Sequence, residues 1–206
     1  HRQPPPSARV GRQAPISSPS LVATVPEHPD YSIIIPAYNE EDLLPKTLRT
    51  LKLAMAACPQ WRGELIVTDN ASTDRTAELA RELGAQVVFE PHRQIARSRN
   101  SGAKASRGRF LVFVDADTEV SPTLLAAALQ ELASDRVVGG GAVVKGDDEG
   151  YWGTRLTIGF WVTLSRWRQW ACGAFVFCRR EAFEAVGGFD EAYYCAEEIH
   201  LSKALR

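Results

Sequence analysis

Two aspartates that follow a short apolar run are the residues whose types and spacing are best suited to chemistry. Residues 110–114 read Phe-Leu-Val-Phe-Val, and Asp115 and Asp117 follow with Ala116 between them. Ligands of open α/β sheets bind beyond the carboxyl ends of the strands. Two carboxylates at that point suit a divalent cation such as Mg²⁺ or Mn²⁺, which also takes oxygens from a substrate diphosphate. Aspartate is equally a turn and helix-capping residue, so the pair alone leaves a metal site and a capping turn both open.

Polar residues also follow two earlier apolar runs. Asn39 and Glu40 come after the run that begins at Ser32, and Asp69 and Asn70 come after the run that begins at Glu64. Because the carboxyl ends of parallel strands border one crevice, these side chains should converge on one ligand. For the two asparagines a cap or an Asx turn is the alternative.

The elements that must position these residues alternate along the chain. Apolar, β-branched or aromatic runs at 32–39, 64–70, 85–90 and 109–117 are separated by segments with helical signals, which predicts a mainly parallel sheet with crossover helices. Helices are predicted with Glu40–Asp42 as an acidic first turn, between Thr73 and Gly84, and over Pro122–Leu132 with Ser121 as N-cap. The glycines at 139–141 indicate a turn or a close backbone approach. The fold class is therefore α/β.

Composition bounds the domain and its partners. The chain has 206 residues, with 24 Lys plus Arg against 25 Asp plus Glu, so nothing global indicates a nucleic-acid partner. Four cysteines without a CxxC pair are typical of reduced thiols and a cytoplasmic protein. No run approaches a transmembrane span, which leaves at most a peripheral contact with the inner face of a membrane. Residues 1–30, rich in proline and serine, are predicted to be a disordered tail before one domain at 31–206.

Two regions of biased charge complete the pattern. No acid occurs between Pro91 and Val114, a segment that includes Arg97 and Arg99, so we expect an anion such as a diphosphate to approach it. A solvated helix face or a weak nucleic-acid patch is the alternative. Residues 151–180 also lack acids and carry four tryptophans and five arginines. We expect the acceptor side there, although Trp161 and Trp167 also fit a helical core stripe.

The motifs in their order resemble family-2 glycosyltransferases, which share the GT-A nucleotide-sugar fold, a single Rossmann-like domain. The resemblance rests on IIIPAYNEE, IVTDNASTD, RSRNSG and FVDAD, followed by GAFVFCRREAFEAVGGFDE and AEEIHLSKALR, and it runs from Tyr31 to Arg206. It implies a nucleotide-sugar half at 31–118 and an acceptor and catalytic half at 119–206. It also implies an inverting, metal-dependent enzyme that uses a nucleoside-diphosphate sugar, with UDP favoured and GDP or dTDP as alternatives.

The resemblance assigns roles position by position. The nucleotide-sugar site would comprise Ala37, Tyr38, Glu40, Asp69, Asn70, Arg97, Arg99, Asn100, Asp115 and Ala116. Asp115 and Asp117 match the DXD motif that holds Mn²⁺ or Mg²⁺, and His200 would complete that site, contact phosphate or be structural. Trp152 and Gly173 would contact a carbohydrate or lipid-linked acceptor.

The catalytic base would come from Glu197 and Glu198. The family usually has Glu followed by Asp here, and that Asp deprotonates the acceptor hydroxyl; Glu198 takes its position, and glutamate can transfer the same proton. An acidic first turn of a helix is the alternative. Relatives often continue past the position of Arg206, and the chain does not begin with Met, so we expect a fragment of a longer protein.

Two other functions fit part of the pattern. An apolar strand followed by DADT also resembles the nucleophile loop of haloacid-dehalogenase-type phosphatases, with Asp115 as nucleophile, Asp117 as acid/base and GDD at 146–148 as a second acidic motif. That loop normally begins its domain, and the earlier motifs would remain unexplained. The glutamate at 198 would also suit a degenerate nucleotide-sugar-binding module that has lost transfer.

Overall fold

A computed structural model describes residues 28–142, 174–193 and 197–205. The predicted tail therefore lies almost wholly outside the described residues, as do Trp152, Gly173 and the acidic motif at 146–148. Residues 28–30 contact the domain: the Arg62 guanidinium donates to the carbonyl of His28, and its backbone N–H donates to Oδ2 of Asp30 at 2.7 Å.

A six-stranded mixed sheet forms the centre of the molecule. Its strands are β1 (Tyr31–Ala37), β2 (Gly63–Asp69), β3 (Gln86–Phe89), β4 (Phe110–Val114), β5 (Gly139–Gly141) and β6 (Phe175–Arg179). They lie in the order β3-β2-β1-β4-β6-β5. The first four are parallel, whereas β6 runs antiparallel to both β4 and β5. The parallel sheet predicted from the four apolar runs is confirmed.

Six helices are described: α1 (Leu44–Ala56), α2 (Thr76–Glu82), α3 (Ile95–Ala105), α4 (Pro122–Ala133), α5 (Arg180–Ala185) and α6 (Glu197–Ala204). The predicted cap of α4 is confirmed, since Oγ of Ser121 accepts from the N–H of Leu124 at 3.2 Å. Gly84 ends the α2 region at φ 73°, a conformation that glycine adopts without steric cost. Glu40–Asp42 precede α1 rather than forming its first turn, because the helix begins only at Leu44.

The core has two layers because successive side chains of a strand point to opposite faces. Ile33 and Ile35 of β1 pack in the cluster that includes Leu48 of α1 and Leu125 of α4. Ile34 packs in the other cluster, with Ala103 of α3 and residues of α5 and α6. Each fully buried isoleucine stabilises the fold by roughly 1.5–3 kcal/mol. The strands that carry the polar residues are thus fixed from both sides.

The strand β5 consists of glycines and lies close to β6. A Cβ on Gly139 would approach the carbonyl oxygen of Phe177 to 2.8 Å, and one on Gly140 would approach its ring to 2.8 Å. The expected close backbone approach is confirmed. Neither β5 nor β6 was among the predicted strands, and β5 has no side-chain pattern by which to recognise it. Within the described residues, no helix combines the length and the apolar character that a bilayer crossing requires.

Candidate active site

The carboxyl ends of three adjacent parallel strands bring the expected acids to one edge of the sheet. Asp69 is the last residue of β2, Asp115 directly follows β4, and Glu40 follows the end of β1, which lies between them. Asp69 is buried, and its Oδ1 accepts from the backbone N–H of Ser72 at 3.2 Å. The three acids therefore lie at the carboxyl ends of adjacent parallel strands, and their convergence on one ligand stays a prediction.

The two strand-end asparagines fasten loops. Oδ1 of Asn39 accepts from the N–H of Thr73 at 2.8 Å, and Asn39 has a positive φ of 55°. The side-chain amide of Asn70 donates to the carbonyls of Glu90 at 3.0 Å and His92 at 2.6 Å, and its Oδ1 accepts from the N–H of Gln94 at 3.1 Å. The structure thus gives Asn70, which was expected at the nucleotide, the loop-holding role that the sequence also allowed.

Three residues expected in the nucleotide-sugar site, Ala37, Tyr38 and Ala116, differ in exposure. Tyr38 is 41% exposed, and the guanidinium carbon of Arg93 lies 4.5 Å from the centre of its ring. Ala37 and Ala116 are buried, so neither side chain is open to a ligand. The carbonyl of Ala116 accepts from Oγ1 of Thr47 at 2.8 Å, which ties the loop after β4 to α1. Tyr38 with Arg93 therefore forms an open planar surface at this edge.

Negative charge accumulates at the mouth of the site. The pKa of Glu40 is raised by burial and also by the charges of Asp117, Asp74 and Asp115. Asp117 is exposed, and the only hydrogen bond to its side chain among the described residues comes from Oγ1 of Thr118 at 3.3 Å. Hard carboxylate oxygens in a region of excess negative charge are a suitable donor set for a divalent cation.

The expected metal ligands Asp115, Asp117 and His200 do not form a ready-made cluster. Within the part of the chain that the structure describes, no three His, Cys, Asp or Glu side chains lie together as a metal site. Oδ1 of Asp115 accepts instead from Arg99 at 2.8 Å, and the ring of His200 stacks on Tyr193 with 3.8 Å between centres. The two aspartates remain candidates for ligands, whereas His200 has the structural contact that the sequence allowed as its alternative.

Arg99 of α3 connects the strand-end acids to the start of α6. Its Nη2 donates to Oδ1 of Asp115 at 2.8 Å, and its Nη1 donates to Oε1 of Glu197 at 2.6 Å and of Glu198 at 2.7 Å. The arginine is 2% exposed, and its guanidinium carbon lies 5.3 Å from the ring centre of Phe189. Residues far apart in sequence thus meet on one guanidinium.

Burial sets the electrostatics of this group. Burial raises the pKa of Asp115, while the charge of Arg99 and its hydrogen bond oppose the rise. Burial also raises the pKa of Glu197. For Arg99 burial lowers the pKa, but Glu198, Asp115 and Glu197 outweigh it and the net pKa is raised. One permanent positive charge therefore faces three carboxylates.

Three other residues of the α3 region hold the chain that leads to α6. Nδ2 of Asn100 donates to the backbone carbonyl of Phe189 at 2.9 Å, and Oδ1 of Asn100 accepts from the backbone N–H of Phe189 at 2.9 Å. Gln94 donates to the carbonyls of Glu191 at 2.6 Å and Tyr193 at 3.2 Å. Nε of Arg97 lies 3.1 Å from Oε2 of Glu191. Sequence reasoning missed Gln94 and Phe189, because their partners are backbone atoms or a guanidinium distant in sequence.

Four arginines of the cationic segment pair with acids of the same chain. Besides Arg97 and Arg99, Arg107 lies 3.5 Å from Glu64 and Arg109 lies 3.7 Å from Asp135. Arg99 is buried against carboxylates, so its guanidinium is not open in this structure, and its expected place at the nucleotide sugar stays a prediction. Arg93 is the exposed arginine of the segment that stacks at the open surface.

The family of the chain follows from comparison with known proteins. The model of Glycosyl transferase family 2 matches residues 32–187, so the chain belongs to that family. This match excludes the phosphatase reading of the two aspartates, and it confirms the resemblance found in the sequence motifs.

Named relatives match parts of the chain. A 4,4'-diaponeurosporenoate glycosyltransferase of Staphylococcus haemolyticus is 41% identical over 97 residues, which is 44% of this chain and 24% of that protein. An undecaprenyl-phosphate 4-deoxy-4-formamido-L-arabinose transferase of Pseudomonas fluorescens is 38% identical over 44% of this chain and 28% of its own length. Glycosyltransferase AglE of Haloferax volcanii is 27% identical over 85% of this chain and 60% of its length. The chain thus spans at most three fifths of these relatives.

Solved structures share the fold. The mannosyltransferase PcManGT from Pyrobaculum calidifontis, in complex with GDP-Man and Mn²⁺, superposes with a TM-score of 0.70 at 23% identity over 86% of this chain and 52% of that chain. TarS of S. aureus in complex with UDP-GlcNAc superposes with a TM-score of 0.65 at 18% identity over 85% of this chain and 53% of that chain. The architecture is that of the GT-A glycosyltransferases.

Proposed function

We propose that this chain transfers a sugar from a nucleoside-diphosphate sugar to an acceptor hydroxyl, with inversion at the anomeric carbon and with a divalent cation, Mn²⁺ or Mg²⁺, at the diphosphate. The observation that carries the proposal is the guanidinium of Arg99, which joins Asp115 at the strand ends to Glu197 and Glu198 of α6. Sugar transfer needs the groups that hold the leaving diphosphate and the group that activates the acceptor to be held in a fixed geometry within one site. The shared guanidinium supports that arrangement.

The donor end would use the acids of the strand ends. Asp115 and Asp117 would hold the cation, and a bound cation supplies electrostatic stabilisation of the leaving diphosphate. Tyr38 and Asp69 would border the nucleoside, with Arg93 beside the ring of Tyr38. The solved relatives bind GDP-Man in one case and UDP-GlcNAc in another, which supports a nucleotide-sugar donor and leaves UDP favoured, with GDP or dTDP as alternatives.

The acceptor end would use Glu198 as the base. Its side chain is 16% exposed, whereas that of Glu197 is 2% exposed, so Glu198 is the more accessible of the two to an acceptor hydroxyl. Its carboxylate would take the proton as the acceptor oxygen attacks the anomeric carbon from the side opposite the leaving diphosphate. A single displacement of this kind inverts the configuration at that carbon. Glu197, deeper in the protein, would hold Arg99 in place.

The acceptor itself is proposed as a class. We include carbohydrate and lipid-linked acceptors, the latter because one relative is named for undecaprenyl phosphate. Trp152 and Gly173 are proposed at this end from the sequence resemblance. A cytoplasmic enzyme, with a peripheral contact at the inner face of the membrane, would fit such acceptors.

Thermal stabilisation by donors tests the proposal. UDP-, GDP- and dTDP-sugars are each added with Mn²⁺ to the wild type, to Asp117→Ala and to Glu131→Ala, whose exposed carboxylate lies near the far end of α4. One donor should raise the melting temperature of the wild type and of Glu131→Ala, and this rise should be lost in Asp117→Ala. No rise with any donor, or an equal rise in all three proteins, would contradict the donor site.

Donor hydrolysis separates an enzyme from a degenerate binding module. A transferase with a working base should slowly release the free sugar from its donor when water replaces the acceptor. Stabilisation by a donor without any hydrolysis or transfer would favour the binding module.

A further inference from the structure

Burial of the charged Arg99 side chain costs free energy of folding, and a purely structural role does not explain that cost. It is 2% exposed, and it is bonded to carboxylates rather than to backbone carbonyls. Its Nε is buried without a hydrogen-bond partner among the described residues. Buried charged groups are costly, and apolar residues often fill such positions equally well. The arrangement therefore calls for a role beyond stability.

The partners of Arg99 belong to the two ends of the proposed site. On one side its Nη2 contacts Asp115, the first acid of the DAD motif. On the other side its Nη1 is shared between Glu197 and Glu198. The guanidinium is planar, and its donors have fixed directions, so it orients carboxylates more rigidly than a lysine ammonium does.

The guanidinium of Arg99 is supported from below by further specific contacts. The ring of Phe189 lies under the guanidinium of Arg99. The side-chain amide of Asn100 donates to the carbonyl of Phe189 and accepts from its N–H. Gly188 precedes Phe189 with φ 80°, and a Cβ there would come within 2.8 Å of Oδ1 of Asn100. Only a residue without a Cβ permits this close approach. The helix α3 thus fixes both the guanidinium and the chain segment just before α6.

From these contacts we infer that Arg99 is a positioning residue, which holds the carboxylate of Glu198 at a fixed place relative to Asp115 and so aligns the base with the donor. The inference rests on the proposed function and deepens it. Because Arg99 is 2% exposed and its Nη atoms are bonded to carboxylates, we expect it to act through those carboxylates rather than by touching the donor or the acceptor. Its removal should therefore weaken the chemical step and leave the affinity for the donor nearly intact.

Kinetic analysis of Arg99→Lys tests the inference, because lysine keeps the charge and loses the planar fork. We expect kcat to fall about 10²-fold, because a small misplacement of reacting groups slows the chemical step by about this factor. The KM for the donor should stay within about threefold of the wild-type value. Arg179→Lys is the matched control, since Arg179 is the other buried arginine of the described chain and ends β6 beside the amino end of β4, away from the proposed site. It should lower stability and leave kcat of the folded protein unchanged.

Two results would overturn the inference. A rise in donor KM in step with the fall in kcat would make Arg99 a donor contact. An unchanged kcat in folded Arg99→Lys would make it structural. If Arg99→Lys does not fold, Phe189→Leu keeps every charge and removes the ring beneath the guanidinium; it should lower kcat about threefold to tenfold without changing donor KM, and an unchanged kcat there would count against the inference.

A crystal structure of Arg99→Lys separates this inference from the proposed function. If no donor is bound or hydrolysed, the proposed function fails, whereas the orientation of Glu198 can still be observed. We expect α6 to stay in place and the side chain of Glu198 to turn away from Asp115. A Glu198 carboxylate in its original position would show that Arg99 does not orient it.

Discussion

Two buried arginines lie at opposite edges of the sheet, and their partners differ in kind. Arg99 lies beyond the carboxyl end of β4 and is held by three acidic side chains. Arg179 ends β6 beside Phe110, at the amino end of β4, and its guanidinium donates to the backbone carbonyls of Val137 and Leu132. Arg179 also forms ion pairs with Asp135 and Glu181, but both of these acids are exposed.

The difference between these partners indicates that Arg179 is buried for a structural reason and Arg99 for a functional one. Backbone carbonyls cannot change their protonation and are fixed by the fold, so the contacts of Arg179 serve to join loops. Carboxylates can bind protons, cations or substrates, and three of them around one guanidinium leave an excess of negative charge. We therefore expect substitutions around Arg99 to affect activity as well as stability, and those around Arg179 to affect stability alone.

The largest effect should come from the more exposed acid on Arg99. Glu198→Gln removes the proposed base and keeps its shape, so kcat should fall by about 10²–10⁴-fold. Stabilisation by the donor should be retained, because the strand-end acids are unchanged. Steady-state kinetics and donor titration measure the two quantities. Glu181→Gln, beside Arg179, is the matched control and should keep its activity.

The same experiment decides between the two glutamates. Glu197→Gln should lower kcat less than Glu198→Gln does, since Glu197 is buried and acts through Arg99. If Glu197→Gln is the more damaging of the two, Glu197 is the base and the assignment here is wrong.

Replacing Arg99 should lower the free energy of unfolding more than replacing Arg179 does. Arg99→Met leaves three carboxylates without their cation, which should lower the free energy of unfolding by about 3–5 kcal/mol. Arg179→Met leaves carbonyls without donors, which should cost about 1–3 kcal/mol. Urea unfolding of both variants at pH 7 measures the difference. Equal losses would mean that the carboxylates around Arg99 relax into solvent and that the comparison does not hold.

The sequence reveals the strands and the acids at their ends because these signals are local. An apolar β-branched run followed by Asp or Asn predicts both the strand and the place of the acid, as at Asp69 and Asp115. The helix cap at Ser121 is local in the same sense. Only local features of this kind can be read from spacing and residue type.

The arrangement around Arg99 is not local, and the sequence gives no sign of it. Its carboxylate partners lie 16, 98 and 99 positions away along the chain. A run of arginines without acids predicts an outside anion, because the folded chain's own acids are invisible at that stage. The glycine strand β5 escapes prediction for a different reason, since its contacts with Phe177 depend on having no side chain.

The smallest expected effect is a dependence of stability on pH at the buried acid. Burial raises the pKa of Glu197 above the ordinary glutamate value of 4.5, with the charges of Glu198 and Asp115 adding and that of Arg99 opposing. Below pH 4.5 the carboxyl is protonated in both folded and unfolded chains. As the pH rises through the raised native pKa, the folded chain must ionise a buried group, so the stabilising contribution of Glu197 is lost.

Glu197→Gln has no such ionisation and provides the reference. The free energy of unfolding of the wild type, minus that of Glu197→Gln, should fall as the pH rises from 4.5 through the native pKa. Urea unfolding of both proteins between pH 4 and pH 7 in matched buffers measures this difference. A difference that grows with pH would mean that Arg99 stabilises the ionised carboxylate by more than burial costs. In that case the edge of the sheet at Arg99 would resemble the edge at Arg179, because its charges would serve to stabilise the fold.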